Sequence, residues 1–325
     1  MRLLVALGLL LALTLCVATA LGETALSAAQ YSQAFTTFGS APGEILWTIR
    51  APRAAAAAVV GAALGLAGAV MQGLLRNPLA DPAVLGVSAI AALFASSVIA
   101  LGLSATPGAV EVAAMAGALV AGVVVVFLAA RVGEPELLIL FGVALSAMGG
   151  AGTALIFNLS PSPVAAAEVL NWLLGSVANR DWNDIAAILV PAGLGAALSA
   201  YAAAGLRMLT LGEETAALSG LPMARLRAAA VAGAALLTGA AVSLSGVIGF
   251  VGLAAPHLVR ASVSDDPART LAPSALAGAI LLVAADLAAR VIPTQEELKL
   301  GVVTALFGAP LFALVAWRAA RSWRR

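Results

Sequence analysis

Residues 54–75 read AAAAAVVGAALGLAGAVMQGLL and run directly into Arg76-Asn77-Pro78. A helix rises 1.5 Å per residue, so about 20 apolar residues cross the hydrocarbon core of a bilayer. This uncharged stretch has that length, and Pro78 ends it by removing a backbone donor. The same reading, apolar runs between polar or Pro/Gly breaks, gives ten spans along the chain. They lie near 3–21, 54–75, 84–102, 109–130, 137–157, 185–206, 226–245, 249–261, 273–291 and 301–318. The eighth is too short to cross alone, and Gly249, Gly252 and Pro256 within it predict a broken or re-entrant helix. Such helices are tolerated where they pack on protein or line a cavity. The expected fold is all-α: a polytopic membrane protein of about ten transmembrane helices, in a single domain over residues 1–325.

Composition agrees. Of 325 residues, 62% are hydrophobic and 10% charged, whereas soluble domains carry about 25% charged residues. The 17 basic and 16 acidic side chains cannot cover a globular surface. Abundant Gly and Ala with only 5% aromatic residues suit closely packed membrane helices rather than an aromatic-girdled barrel. The chain has one Cys (Cys16), one His (His257) and one Lys (Lys299). That excludes structural zinc and bis-histidine haem ligation, each of which needs more such residues. The lysine sits in Leu298-Lys299-Leu300 and not in the Gly-Lys-Ser/Thr of a phosphate-binding loop. A non-catalytic subunit without metal or cofactor is expected, driven by a partner or an ion gradient. The net charge of +1 makes nucleic acid an unsuitable partner.

Arg2, a Leu-rich run and Ala18-Thr19-Ala20 imitate a signal peptide, but the run is longer than a usual signal core, so an uncleaved first helix is expected. With the N-terminus inside, 12 basic residues fall on inside segments and 5 (Arg50, Arg53, Arg180, Arg290 and Lys299) outside. This satisfies the positive-inside rule and predicts both termini to be cytoplasmic. Three connections exceed simple loops. Segment 22–53 is outside and polar; segment 158–184 is outside, amphipathic near Val164–Leu174, and carries Trp172 and Trp182 as interfacial anchors. Segment 207–227 is inside and reads as two short helices, Gly212–Ser219 and Pro222–Arg227, with Gly220 between them. No internal repeat is evident, which weakens an inverted-repeat secondary transporter.

Four strings carry a family resemblance. The first is Gly68-Ala-Val-Met-Gln72 leading into Arg76-Asn-Pro-Leu-Ala-Asp-Pro82 and Leu85-Gly-Val-Ser88, and the second is Gly212-Glu-Glu-Thr-Ala216 with Gly220. The third is Gly249-Phe-Val-Gly-Leu-Ala-Ala-Pro-His-Leu-Val-Arg260, and the fourth Leu300-Gly-Val-Val-Thr-Ala-Leu-Phe-Gly-Ala-Pro310. Together they resemble the FecCD-type permeases, membrane subunits of ATP-driven importers of iron-siderophores, haem and cobalamin. The resemblance spans nearly the whole chain. It implies the type II ABC importer permease fold in a bacterial inner membrane, ten helices per subunit, and a homodimer or a pair of similar subunits. It also implies two cytoplasmic ATPase subunits, which bind the ATP and Mg, and a periplasmic substrate-binding protein. The expected substrate is an iron chelate, a ferric siderophore or haem, with cobalamin as the alternative. A gradient-driven secondary transporter is the reading from another class.

The resemblance also gives roles to residues. Gly212, Glu213, Glu214, Ala216, Gly220 and Arg225 belong to the coupling element, about 212–227, that meets the ATPase. Arg50, Arg53 and Lys299 stand at the outer face, where they either dock the binding protein or anchor to headgroups. Asn77 and Leu79 form a turn that caps the second span or gates the pathway, and Glu136, in the loop Gly133–Glu136, is the other gate element. Ser146, Gly150, Thr153 and Asn158 mark the fifth span as pathway lining, while its many small residues also serve helix packing. Asp286 and Arg290, four residues apart on one helix face, are expected to form a structural ion pair, and His257 to pack or cap.

Overall fold

The computed structural model describes residues 1–325 except 23, 38, 132–134, 264–265, 293–296 and 323–325. Among the described residues all regular structure is helical. The order begins with α1 (Arg2–Ala20), α2 (Ala28–Thr36) and α3 (Ala41–Glu44), then a π-turn at Ile45–Arg50 that continues into α4 (Ala51–Leu74). A 3₁₀ turn (Pro82–Leu85) leads to α5 (Val87–Ala100), followed by α6 (Ala109–Arg131), α7 (Pro135–Asn158) and α8 (Pro163–Leu173). The chain goes on through α9 (Trp182–Leu209), α10 (Glu213–Leu218), α11 (Met223–Ser245), α12 (Val251–Arg260), α13 (Pro267–Val291) and α14 (Leu300–Ser322). Each of the ten spans read from the sequence coincides with a helix. Seven described helices are long and apolar enough to cross a membrane, with Val87–Ala100 and Leu300–Pro310 as shorter apolar ones.

Local chemistry sets the boundaries. Ser27 and Gln30 form a capping box at α2, and Asp181 and Asp184 form another at α9, satisfying amide groups that a helix start leaves open. Asp266 caps α13 with Pro267 in its first turn, where a missing N–H costs no helical bond. The eighth span is as short as its sequence predicts but is not broken at Gly252 or Pro256: α12 is one helix of ten residues that runs through both and follows an irregular segment, 246–250. Two left-handed residues, Gly246 and Phe250, bracket that segment.

Two predicted boundaries change. Segment 22–53 is not a loop throughout, because the second transmembrane helix starts at Ala41 and runs unbroken for 34 residues to Leu74. Glu44, Arg50, Pro52 and Arg53 interrupt the apolar reading there. The π-turn absorbs the proline: Ala51 N–H reaches back five residues to the Leu46 carbonyl. A regular α-turn would press the Pro52 ring onto the carbonyl of residue 48. The second expected coupling helix, Pro222–Arg227, is not separate either, since residues 223–227 are the opening turns of α11.

α11 and α4 are the most buried spans, and α1 and α7 among the least. α4 meets its neighbours almost backbone to backbone. A Cβ on Gly61 would lie 2.3 Å from the Gly278 carbonyl oxygen, and one on Gly65 2.3 Å from that of Ser274. Both oxygens belong to α13; Gly68, one turn on, faces Gly252 of α12. At positions 61, 65 and 68 the stripe follows one helix face. Close approach of this kind replaces side-chain packing with direct van der Waals contact between helices. At Gly68 a Cβ would fall 1.9 Å from the Gly252 oxygen. Gly68→Ala is therefore expected to destabilise by about 1–3 kcal/mol through overpacking, seen as a lower thermal midpoint of the detergent-solubilised protein. Gly8→Ala, with nothing within 4 Å of the added carbon, should leave the midpoint unchanged.

Candidate functional site

One end of the bundle carries α10, a single helical turn and a half between the long helices α9 and α11. Gly212 (φ +102) starts it and Gly220 (φ +84) ends it, both in backbone conformations that L side chains rarely adopt. Leu221 N–H closes on the Ala216 carbonyl at 3.1 Å, and the Ala216 side chain is fully buried. Glu213 reaches Arg227 of α11 at 2.8 Å, so the short helix is tied to the span that follows it. Glu214 and Arg225 are exposed. Leu218 is 84% exposed at the tip, and Leu211 beside it is exposed as well. Of the coupling residues named from the sequence, Glu213 and Ala216 thus fasten the element, while Glu214, Gly220 and Arg225 lie on its outside. Arg227 had only the signal of being basic and inside; its partnership with Glu213 spans fourteen residues and needed the fold.

Near the C-terminal end of α9 the chain turns at Asn77. Its Oδ1 accepts from Leu79 N–H at 2.9 Å, while its carbonyl accepts from Ala80 N–H at 3.1 Å. The side chain therefore closes a local turn onto Leu79 and does not cap the open carbonyls at the end of α4. Next in the chain, Asp81 caps the 3₁₀ turn through Ala83 N–H at 2.7 Å. Desolvation raises the Asp81 pKa, and that hydrogen bond opposes the rise. Between this turn, α9, α12 and α13 lies a cavity of about 280 Å³ lined by Gln72, Arg76, Asn77, Thr210, Arg260 and Thr270 among others. Glu134, of the second gate loop, lies outside the described residues, and so does the side chain of Glu136 in the first turn of α7.

α7 leaves one face open. Gly142 and Gly149 press against the 3₁₀ turn and α5, while Gly150 has nothing within 4 Å of an added Cβ. Ala147, Gly150, Ala151 and Ala154 form an exposed small-residue stripe at helical spacing. Ser146 is half-buried, Asn158 is exposed, and Thr153 is buried with its hydroxyl unpartnered. The expected lining residues therefore point to different sides. Nearby in the fold order, a mainly apolar cavity of about 640 Å³ opens between the end of α8, segment 246–250 and α14, lined by Leu173, Phe250, Val302 and Leu306. The start of α14 is fixed there: Leu300 N–H donates to the Gly175 carbonyl and Gly301 N–H to that of Leu174, each at 3.0 Å.

The opposite end holds the buried charges. Asp286 is 1% exposed and lies 3.0 Å from Arg290 of its own helix. Arg53 of α4 also reaches it, at 2.8 Å, and forms a second ion pair with Glu297. Arg290 Nη1 donates to the Ala18 carbonyl of α1 at 3.2 Å. Arg50, 5% exposed, donates to the carbonyls of Ala20 and Thr24. The expectation of outward-facing docking cations does not fit this arrangement. Both guanidiniums are turned inward, because carboxylates and open carbonyls at the ends of α1 and α13 offer them partners that lipid cannot. Lys299, half-buried ahead of α14, makes no ion pair among the described residues, and its carbonyl accepts from Val302 and Val303 N–H. Glu297 went unrecognised in the sequence, where it reads as one acid in an outside loop.

A family model described as the FecCD transport family matches residues 10–318. The chain belongs to the FecCD transport family. It is similar to the vitamin B12 import system permease protein BtuC of Vibrio cholerae, 39% identical, with 86% of this chain and 84% of that one covered. It is 35% identical to the hemin transport system permease protein HmuU of Yersinia pestis, with 92% of each chain covered. A solved structure of an ABC transporter, assigned to the metal-chelate type and in an inward-facing conformation, superposes with a TM-score of 0.87 at 29% identity. The match covers 98% of this chain and 99% of that one. As a FecCD permease, the chain is a multi-pass membrane protein whose all-α bundle presents an exposed apolar tip at one end and a buried charge cluster at the other. In this FecCD chain the charge cluster ties α4, α13 and α1 to one another.

Proposed function

We propose that this FecCD chain is the transmembrane permease subunit of an ATP-driven, binding-protein-dependent importer that translocates an iron chelate, a ferric siderophore or haem, by alternating access. The observation that carries the coupling half of this reading is α10. A short helix tied by Glu213 to Arg227 and seated by buried Ala216 moves as one body with α9 and α11, so a push on Leu218 is delivered to two spans. The partners are two cytoplasmic ATPase subunits, which hold ATP and Mg, a periplasmic binding protein at the opposite end, and a second copy of the permease. The exposed stripe at Ala147, Gly150, Ala151 and Ala154 suits close approach of that second copy. The count of basic residues, 12 of 17 on the α10 side, supports a cytoplasmic position for that end and for both termini in a bacterial inner membrane.

The relatives favour two substrate classes. The hemin permease supports an iron chelate, and the vitamin B12 permease supports cobalamin as the alternative. The deciding experiment reconstitutes the permease in liposomes with its ATPase and loaded binding protein. Uptake of ferric siderophore or haem that requires ATP is the expected result. Uptake of cobalamin alone would transfer the assignment to the alternative, and uptake driven by an ion gradient without ATPase would overturn the importer.

A further inference from the structure

The cavity between the turn at Asn77, α9, α12 and α13 has a chemistry that neither capping nor gating by Asn77 uses. Gln72 is 3% exposed and one of its lining residues. Arg260, another, donates to Gln72 Oε1 at 2.7 Å. Arginine has no acceptor, so the amide end facing it must be the oxygen, and the orientation of the side chain follows from that contact. The other end, Nε2, is therefore a buried NH₂ group, and it has no hydrogen-bond partner. Buried donors are almost always paired, so a group left open calls for an acceptor. Asn77 is arranged alike: its oxygen accepts from Leu79 N–H, which leaves the NH₂ as the remaining end. Arg76 adds a guanidinium that makes no ion pair among the described residues. The hydroxyls of Thr210 and Thr270 already donate to carbonyls of their own helices. The described lining includes no carboxylate.

We propose that this cavity binds a phosphate-class anion, either the headgroup phosphate of an anionic phospholipid or free phosphate. Three residues with donor groups left over, Gln72, Asn77 and Arg76, line one space of about 280 Å³, which exceeds the about 30 Å³ of a single water, and the Gln72 NH₂ is buried in its wall without a partner. A lining that offers donors and positive charge selects a ligand made of acceptors, and a phosphate with several acceptor oxygens meets more of these donors than a carboxylate does. Ala69 and Gly73 make the remaining wall small and apolar, which suits the glycerol end of a lipid. The site lies where α4 ends and α13 begins, at the rim of the spans, and basic pockets between helices at the cytoplasmic rim are where anionic headgroups bind. The anion site stands on geometry alone; the lipid source rests also on the cytoplasmic placement of this end under the proposed function.

The test uses the full-length chain in nanodiscs of phosphatidylcholine, with and without phosphatidylglycerol, and inorganic phosphate titrated into the phosphatidylcholine discs. Bound lipid is counted by native mass spectrometry and stability is read as the thermal midpoint. Two variants are compared. Arg76→Gln changes an exposed side chain, so folding is not at stake; Gln72→Glu keeps an acceptor for Arg260 but puts an acceptor where the NH₂ was. Retained phosphatidylglycerol and a raised midpoint, both weakened about tenfold in apparent affinity by either variant, support the headgroup. A midpoint raised by inorganic phosphate, with the same sensitivity to the variants, supports the free anion. No response to either anion, or a response that Arg76→Gln leaves unchanged, overturns the site. Because the readout is binding and not uptake, its failure is separable from failure of the importer reading.

Discussion

Leu218→Asp is expected to lower ATP-driven uptake by more than tenfold while the permease is made, inserted and as stable as before. Leu218 is 84% exposed at the end of α10, so its replacement alters little of the folded chain, and surface changes of that kind stay within about 0.5 kcal/mol. An apolar side chain standing free at an exposed tip gains its stabilisation only when a partner covers it. Interface anchors of this sort are worth about 2 kcal/mol or more when truncated, and aspartate adds an unpaired charge to the covered surface. Co-purification of the ATPase with the variant and uptake in liposomes are the measurements. Glu213→Gln should be milder, because it releases the tie to Arg227 and leaves the contact surface in place. Full uptake with Leu218→Asp would remove α10 as the seat of the ATPase.

The second large effect is on stability. Asp286→Ala is expected to cost about 3–5 kcal/mol, because it withdraws the carboxylate that Arg53 and Arg290 share in a buried site. Glu297 remains for Arg53, but the described contacts leave Arg290 only the carbonyls of Ala18 and Asp286. Replacing the three charges that meet at Asp286 by apolar side chains of similar size, Arg53→Met, Asp286→Leu and Arg290→Met, should recover part of the loss, since desolvating the charges is itself unfavourable; Glu297 then loses Arg53, but its side chain is 28% exposed and can be met by water. Thermal midpoints in detergent distinguish the two. An unchanged midpoint for Asp286→Ala would mean that the cluster contributes nothing to holding α1, α4 and α13 together.

The helices were legible in the sequence because a bilayer imposes one length and one composition on every span. What escaped was decided by contacts between distant residues. Glu44, Arg50 and Arg53 ended the apolar window, so the beginning of the second helix at Ala41 was hidden, although inside the fold Arg50 and Arg53 are answered by carbonyls and carboxylates. Asp286 and Arg290 could be paired from their spacing; Arg53, 233 residues from Asp286, could not. On α7 the composition announced small-residue packing but not which face packs, so Gly149 and Gly150, adjacent in sequence, face a neighbour and open space respectively. Gln72 did give a signal, a lone amide in an otherwise apolar run, though its meaning depends on Arg260 arriving from another helix.

The glycine stripe at 61, 65 and 68 bears on how such a molecule can move. Where helices meet through side chains, rotamers can rearrange and the helices slide over one another like greased rods. α4 meets α13 and α12 with carbonyl oxygens lodged in the hollows left by missing side chains, and an axial slip of a few ångströms would drive those oxygens into the next residue's Cβ. The contact behaves as a keyed joint rather than a bearing. α4, α12 and α13 are then expected to shift only as one body, as are α7 and the 3₁₀ turn, where Gly142 takes the Val84 carbonyl in the same way.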